Sequence, residues 1–279
     1  MRLYTDAQKN SMQAKYIQSP LFPNLHYRVM GHGPAIVLLH GFPETGKLWS
    51  KVWDELAMDF TLIIPDMPGS GESSRCTESL TMELMADAVA WIMDVEHIND
   101  AIIAGHSMGG YVAMAFAEKY PLRLKGLVMV HSIASADPEE KKEQRRKSIS
   151  LILKGGKQAF VRQMIPNLFS KTYKKNNFDE LRLHTEDALQ QSAESLADFY
   201  NAMIMRPDRV KVLADAVFPV LWLIGREDAI ATSAKVLQQS TLANVNFVSV
   251  YDDCAHMGMI EQPVKLQQDI AAFAGYCNR

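Results

Sequence analysis

The run Gly105-His106-Ser107-Met108-Gly109 holds a serine hydroxyl between two glycines. The apolar stretch Asp100-Ala101-Ile102-Ile103-Ala104 ahead of it reads as a short buried strand. Behind it, Gly110 to Tyr120 reads as a helix that Pro121 stops. A serine at such a strand-to-helix corner is forced into a strained backbone conformation that lifts its hydroxyl out of the sheet. Side chains two residues to either side would collide with the neighbouring strand and helix, which accounts for the glycines. The chemistry open to this corner is nucleophilic attack, once a base takes the hydroxyl proton. The attacked carbonyl oxygen then becomes an alkoxide, and preorganised N–H groups must meet its charge. The backbone N–H of Met108, at the start of the helix, is one natural donor.

The surrounding elements form a regular series. Ala35 to Leu39 is a β-type run ending in His40-Gly41-Phe42-Pro43, and the strand Thr61 to Pro65 leads into the turn Asp66-Met67-Pro68-Gly69-Ser70-Gly71-Glu72-Ser73. Phe218 to Gly225 is another buried strand, followed by Arg226-Glu227-Asp228. Val245 to Tyr251 alternates like a strand and runs into Asp252-Asp253-Cys254-Ala255-His256-Met257-Gly258, with a closing helix beginning near Glu261-Gln262-Pro263. Strands near 35–39, 60–65, 101–105, 125–131, 219–225 and 246–251 alternate with helices, the pattern of a doubly wound α/β fold with a mostly parallel sheet. Two earlier strands, Ala14 to Gln18 and Asn24 to Met30, are expected to pair antiparallel through the turn at Pro20 to Pro23. No repeat or low-complexity linker interrupts the series. The alternation breaks only between about Ser132 and Asp215.

Taken together these segments resemble the α/β-hydrolase family over nearly the whole chain. The resemblance implies a core of residues 1–131 and 216–279, with 132–215 as an inserted helical cap closing over the elbow. It makes Ser107 the nucleophile, Asp228 the acid after its strand, and His256 the general base on the loop after the last strand. Their order along the chain is the order expected of this fold. Phe42 becomes the second oxyanion-hole donor beside Met108; Pro43 cannot donate and holds Phe42 extended. Gly41 leaves room for substrate to approach the backbone. For Asp228 a capping role for the following helix competes, and Glu227 is adjacent. Asp252 and Asp253 read as loop or capping residues, although a carboxylate near His256 could stand in for Asp228. His40 and His106 read as structural, bonding the backbone around the oxyanion loop and elbow, and His131 and His184 as non-catalytic. Cys254 lies near His256, but Ser107 already holds the corner.

Several chemistries share this scaffold. His40 to Thr45 with Trp49 resembles epoxide hydrolases and haloalkane dehalogenases, which carry an aspartate at the elbow; Ser107 argues against both. The elbow also occurs in C–C hydrolases, where His106 is usually asparagine. The expectation is therefore an esterase or lactonase acting on a small, largely apolar substrate through an acyl-enzyme. A C–C hydrolase or cofactor-free perhydrolase on the same triad is the alternative, and a non-catalytic ligand-binding protein of the same fold a further one. The mechanism calls for no metal or organic cofactor.

Composition agrees. The chain has 279 residues, 48% of them hydrophobic, and a net charge of −3. That suffices for one large core plus an insertion and leaves no electrostatic footprint for nucleic acid or an anionic membrane. Met1 to Tyr16 lacks the pattern of a signal peptide, and no stretch is apolar enough to span a bilayer. Cys76, Cys254 and Cys277 show no metal spacing and suit a reducing cytosol, so the expected location is cytoplasmic. The partner expected is a small-molecule substrate, and a homo-oligomer is left open. Lys141, Lys142, Arg145, Arg146 and Lys147, interleaved with Glu139, Glu140 and Glu143, read as the solvated face of a cap helix. Of the apolar cap residues Phe160, Met164, Ile165, Leu168, Phe169, Phe199, Met203 and Met205, most should pack the cap on itself and some line a pocket.

Overall fold

A computed structural model describes residues 11–279. The reading of Met1 to Tyr16 therefore falls, for residues 1–10, outside the described residues. Eight strands form one sheet: β1 (Gln13–Ile17), β2 (Leu25–Met30), β3 (Ala35–Leu39), β4 (Thr61–Pro65), β5 (Ala101–His106), β6 (Leu124–Val130), β7 (Val220–Gly225) and β8 (Asn246–Tyr251). Their order is β1-β2-β4-β3-β5-β6-β7-β8. β1 and β2 pair antiparallel at one edge, and every pair from β4 to β8 is parallel. The central strands are mostly apolar because both their faces are covered; β5 and β7 are buried at every residue. β8, at the other edge, leaves Phe247 and Val248 exposed.

Helices Met82–Val95 and Met108–Lys119 pack against each other, and Pro263–Cys277 packs on β6 and β7. The helix after the elbow begins at Met108, two residues earlier than its sequence suggests, because β5 runs on through His106 and leaves Ser107 alone as the corner. Between β6 and β7 the chain is helical, as expected. Its longer helices are Glu139–Leu151, Lys157–Met164, Phe178–Leu189 and Ala193–Met205. The first two meet at a kink where Gly155 takes a φ of 93°, a backbone region open to glycine.

Helix Glu139–Leu151 buries no residue, and Arg146 pairs with Glu139 and Glu143 on its surface. Arg145 departs from the solvated reading. Its Nε donates to the buried Asp137 carboxylate at 2.7 Å, and its guanidinium lies 5.1 Å from the Tyr200 ring centroid. Met205 departs in the other direction and is 74% exposed, so it packs neither cap nor pocket. No helix among the described residues is long and apolar enough to cross a membrane.

Candidate active site

The elbow shows why two glycines flank the serine. Ser107 sits at φ 51° and ψ −112°, a left-handed φ that costs a residue with a Cβ on the order of 1–3 kcal/mol and persists only where the surroundings dictate it. A Cβ at Gly105 would collide with the Gly109 carbonyl, and one at Gly109 with the carbonyls of Leu39 and His40. The turn is held on both sides: Ser107 N–H donates to Val130 O at 3.0 Å, and Ser132 Oγ donates to Ser107 O at 2.7 Å. Met108 is the first residue of the helix and fully buried.

Asp228 follows β7 and His256 follows β8, and the parallel pairing of those strands brings the two loops together. His256 Nδ1 donates to Asp228 Oδ2 at 2.8 Å, with both side chains buried. A carboxylate can only accept, so this bond fixes the proton on Nδ1 and leaves Nε2 as the basic nitrogen. The other oxygen, Oδ1, accepts the N–H groups of Ile230 (2.8 Å) and Ala231 (3.0 Å). The capping role and the histidine-orienting contact thus coexist in one carboxylate. Burial opposes the charge on Asp228, but His256 and His131 outweigh it and hold the carboxyl well below the ordinary range. Asp252 is exposed and bonded to Arg226, and Asp253 is exposed as well, so neither stands in for Asp228.

The remaining histidines frame the site. His106, beside Ser107, donates from Nε2 to the carbonyl of His256 at 2.9 Å, and the two rings lie 4.9 Å apart. His40 donates from Nδ1 to Gly41 O at 2.8 Å and accepts the Met67 N–H on Nε2 at 2.9 Å, bracing the loop that carries Phe42. Both match the structural roles expected. His131, which the sequence marks as non-catalytic, places its Nδ1 3.6 Å from Asp228 Oδ2 in a fully buried position. That distance is an electrostatic contact, too long for a hydrogen bond. The signal that could have found it is a polar residue directly after the apolar run of β6, at the strand ends where α/β sheets gather their ligands.

The helical insertion touches the site at two places. Phe42 is buried against it, with the Tyr200 ring stacked at 4.4 Å and those of Phe160 and Phe199 at 6.4 and 6.5 Å. Two residues on, Glu44 forms a buried ion pair with His184 Nε2 at 3.0 Å, in a geometry that falls short of a hydrogen bond. On the other side, the His256 N–H donates to Leu168 O at 2.9 Å. Cys254, in the same loop, is fully buried with its Sγ 3.8 Å from Glu261 Oε1. Burial and that neighbouring carboxylate push its thiol far above the usual range. Among the described residues no group of three or more His, Cys, Asp or Glu side chains could hold a metal ion.

Residues 34–164 match the model of the alpha/beta hydrolase fold family. A thermophilic esterase from Thermogutta terrifontis, solved with malate bound, superposes with a TM-score of 0.90 at 30% identity, covering 96% of this chain and all (100%) of that one. The chain belongs to the α/β-hydrolase family. A pimeloyl-[acyl-carrier protein] methyl ester esterase of Pseudoalteromonas atlantica is 24% identical over 251 residues, 85% of this α/β-hydrolase and 92% of that protein. An uncharacterized protein of Mycobacterium tuberculosis is 36% identical over 104 residues, 37% of this chain but only 30% of the relative's own length.

Proposed function

We propose that this α/β-hydrolase is a serine hydrolase that cleaves a carboxylic ester or lactone of a small, largely apolar substrate through an acyl-enzyme. The observation that carries the reading is the buried 2.8 Å contact of His256 Nδ1 with Asp228, in a loop bonded to the residue beside the strained Ser107. His256 Nε2 takes the proton from Ser107 as its oxygen attacks the carbonyl carbon. The N–H groups of Phe42 and Met108 hold the oxyanion, and Asp228 orients His256 and stabilises its imidazolium form. His256 then protonates the leaving group, activates water and so releases the acid. The insertion, 132–215, acts as the cap. The aromatic group of Phe42, Phe160, Phe199 and Tyr200 supports an apolar acyl chain, and the esterases among its relatives support ester chemistry. The unpaired cysteines support a reducing compartment, the cytoplasm.

The test is stopped-flow hydrolysis of p-nitrophenyl esters of graded acyl length. Wild type should give a burst followed by turnover. Ser107→Ala should abolish the burst and lower kcat by on the order of 10⁴-fold or more. Near-normal turnover in a clean Ser107→Ala preparation would overturn the assignment.

A further inference from the structure

The loop carrying His256 is held from outside as well as from within. Glu261 follows it by five positions on the short helix Gly258–Glu261. Its Oε1 accepts the N–H of Ala255 at 3.0 Å and of Met257 at 3.3 Å, the residues on either side of His256. Its other oxygen, Oε2, accepts the N–H of Ser170, in the helical insertion, at 2.9 Å. The N–H of His256 itself is taken by Leu168 O at 2.9 Å, two residues before Ser170. Next along the insertion, the Lys171 N–H donates to Glu227 Oε2 at 3.2 Å, and Glu227 is the neighbour of Asp228. Leu168 to Lys171 therefore bonds to the histidine loop once directly and once through Glu261, and to the aspartate loop once, through backbone groups of the insertion whose positions no side-chain rotation can change.

We infer that Glu261 is a positioning residue that makes the placement of His256 depend on docking of the Leu168–Lys171 segment, so that the insertion helps build the catalytic machinery. The inference rests on the serine-hydrolase reading above. A carboxylate is the group that can do this, since both of its oxygens accept and neither donates. An amide in its place can serve only one side. In Glu261→Gln the side-chain NH₂ must face either the two loop N–H groups or that of Ser170, and one link is lost. Ser170→Pro cuts the same link from the other end, because proline has no N–H and the Ser170 φ of −61° already suits it; it also removes the Ser170 Oγ cap on the Tyr173 N–H, a loss that the thermal midpoint registers.

The experiment is pre-steady-state acylation with p-nitrophenyl acetate through p-nitrophenyl octanoate, on wild type, Glu261→Gln, Ser170→Pro and Ser107→Ala, each with its thermal midpoint recorded. Misplacing a base by a fraction of an ångström slows proton transfer from the serine. The burst rate should therefore fall by about tenfold to a hundredfold in Glu261→Gln and Ser170→Pro, equally for every acyl length, with KM little changed. The burst amplitude, which counts competent sites, should remain near one per chain. An unchanged burst rate with smaller amplitude would mean that the carboxylate only stabilises the fold, and would overturn the inference. Losses confined to long acyl chains, or to KM, would mean that the insertion shapes the pocket alone, and would overturn it too. Turnover that survives Ser107→Ala would overturn the serine-hydrolase reading and the inference with it, whereas loss in Ser107→Ala beside wild-type bursts in the other two variants overturns the inference alone.

Discussion

Asp228 divides its two oxygens between two tasks, and the division predicts how substitutions behave. In Asp228→Asn the amide oxygen can still accept the Ile230 and Ala231 N–H groups, so the turn should persist. Its NH₂ then faces His256 Nδ1 and favours the tautomer with the proton on Nε2, where it cannot act as base. The expected cost is on the order of 10⁴-fold in kcat, by the precedent of a serine protease with the same change. Asp252→Asn, on the exposed side of the loop, should leave kcat within about twofold of wild type, the ordinary outcome for a surface change. A severe Asp252→Asn with a mild Asp228→Asn would reverse the assignment. The places of Ser107, Asp228 and His256 at strand ends were legible because each follows an apolar strand run at a recognisable offset. The polar residue after β6 marked His131 as a strand-end residue, but its contact with Asp228 was not legible, since that requires knowing that β6 lies beside β7.

Among the elements, the elbow has the least tolerance. In Gly109→Ala the new methyl group meets two backbone carbonyls of β3 and its following loop, which have no rotamers with which to yield. We expect a loss of about 3 kcal/mol, the upper end of the usual cost of overpacking, read as a lower denaturant midpoint at unchanged m. The insertion is fastened on its Phe42 side by the ion pair of Glu44 and His184, which gives that side a pH dependence. Burial alone would lower the His184 pKa, but Glu44 beside it outweighs burial and raises it above the ordinary 6.5. A group whose pKa is higher folded than unfolded contributes its full stabilisation below the unfolded value and loses it as pH rises through the folded one. The gap in thermal midpoint between wild type and His184→Gln should therefore be widest at mildly acidic pH and close on the alkaline side; a gap that widens with pH would contradict the pairing. The central strands were readable from nearly continuous apolar runs, which local sequence encodes. The role of Arg145 was not, because its neighbours Asp137 and Tyr200 come from either side of its own helix.

For the whole molecule, acid is the weak side. Asp66, Asp137 and Asp228 are all buried, and burial opposes each charge. His26 and Arg28 outweigh it for Asp66, Arg206 and Arg145 for Asp137, and His256 and His131 for Asp228. All three pKa values are depressed, so the stabilisation is present above the unfolded carboxylate value of 3.8 and is lost as pH falls below it. The thermal midpoint should fall steeply below that value, and a flat profile there would refute the account. Asp137→Ala tests one member directly. It strands Arg206, whose Nη2 donates to Asp137 at 3.0 Å in a buried setting, and should cost about 3–5 kcal/mol.

The buried Cys254 has a use of its own. A thiol without solvent contact, and with its ionisation suppressed, reacts with an alkylating reagent only in the moments when its loop swings open. The labelling rate of Cys254, in a chain whose half-buried Cys76 and Cys277 are replaced by serine, is therefore a stopwatch on the opening of the segment two residues from His256. Such a clock needs no substrate, and it runs in the resting protein.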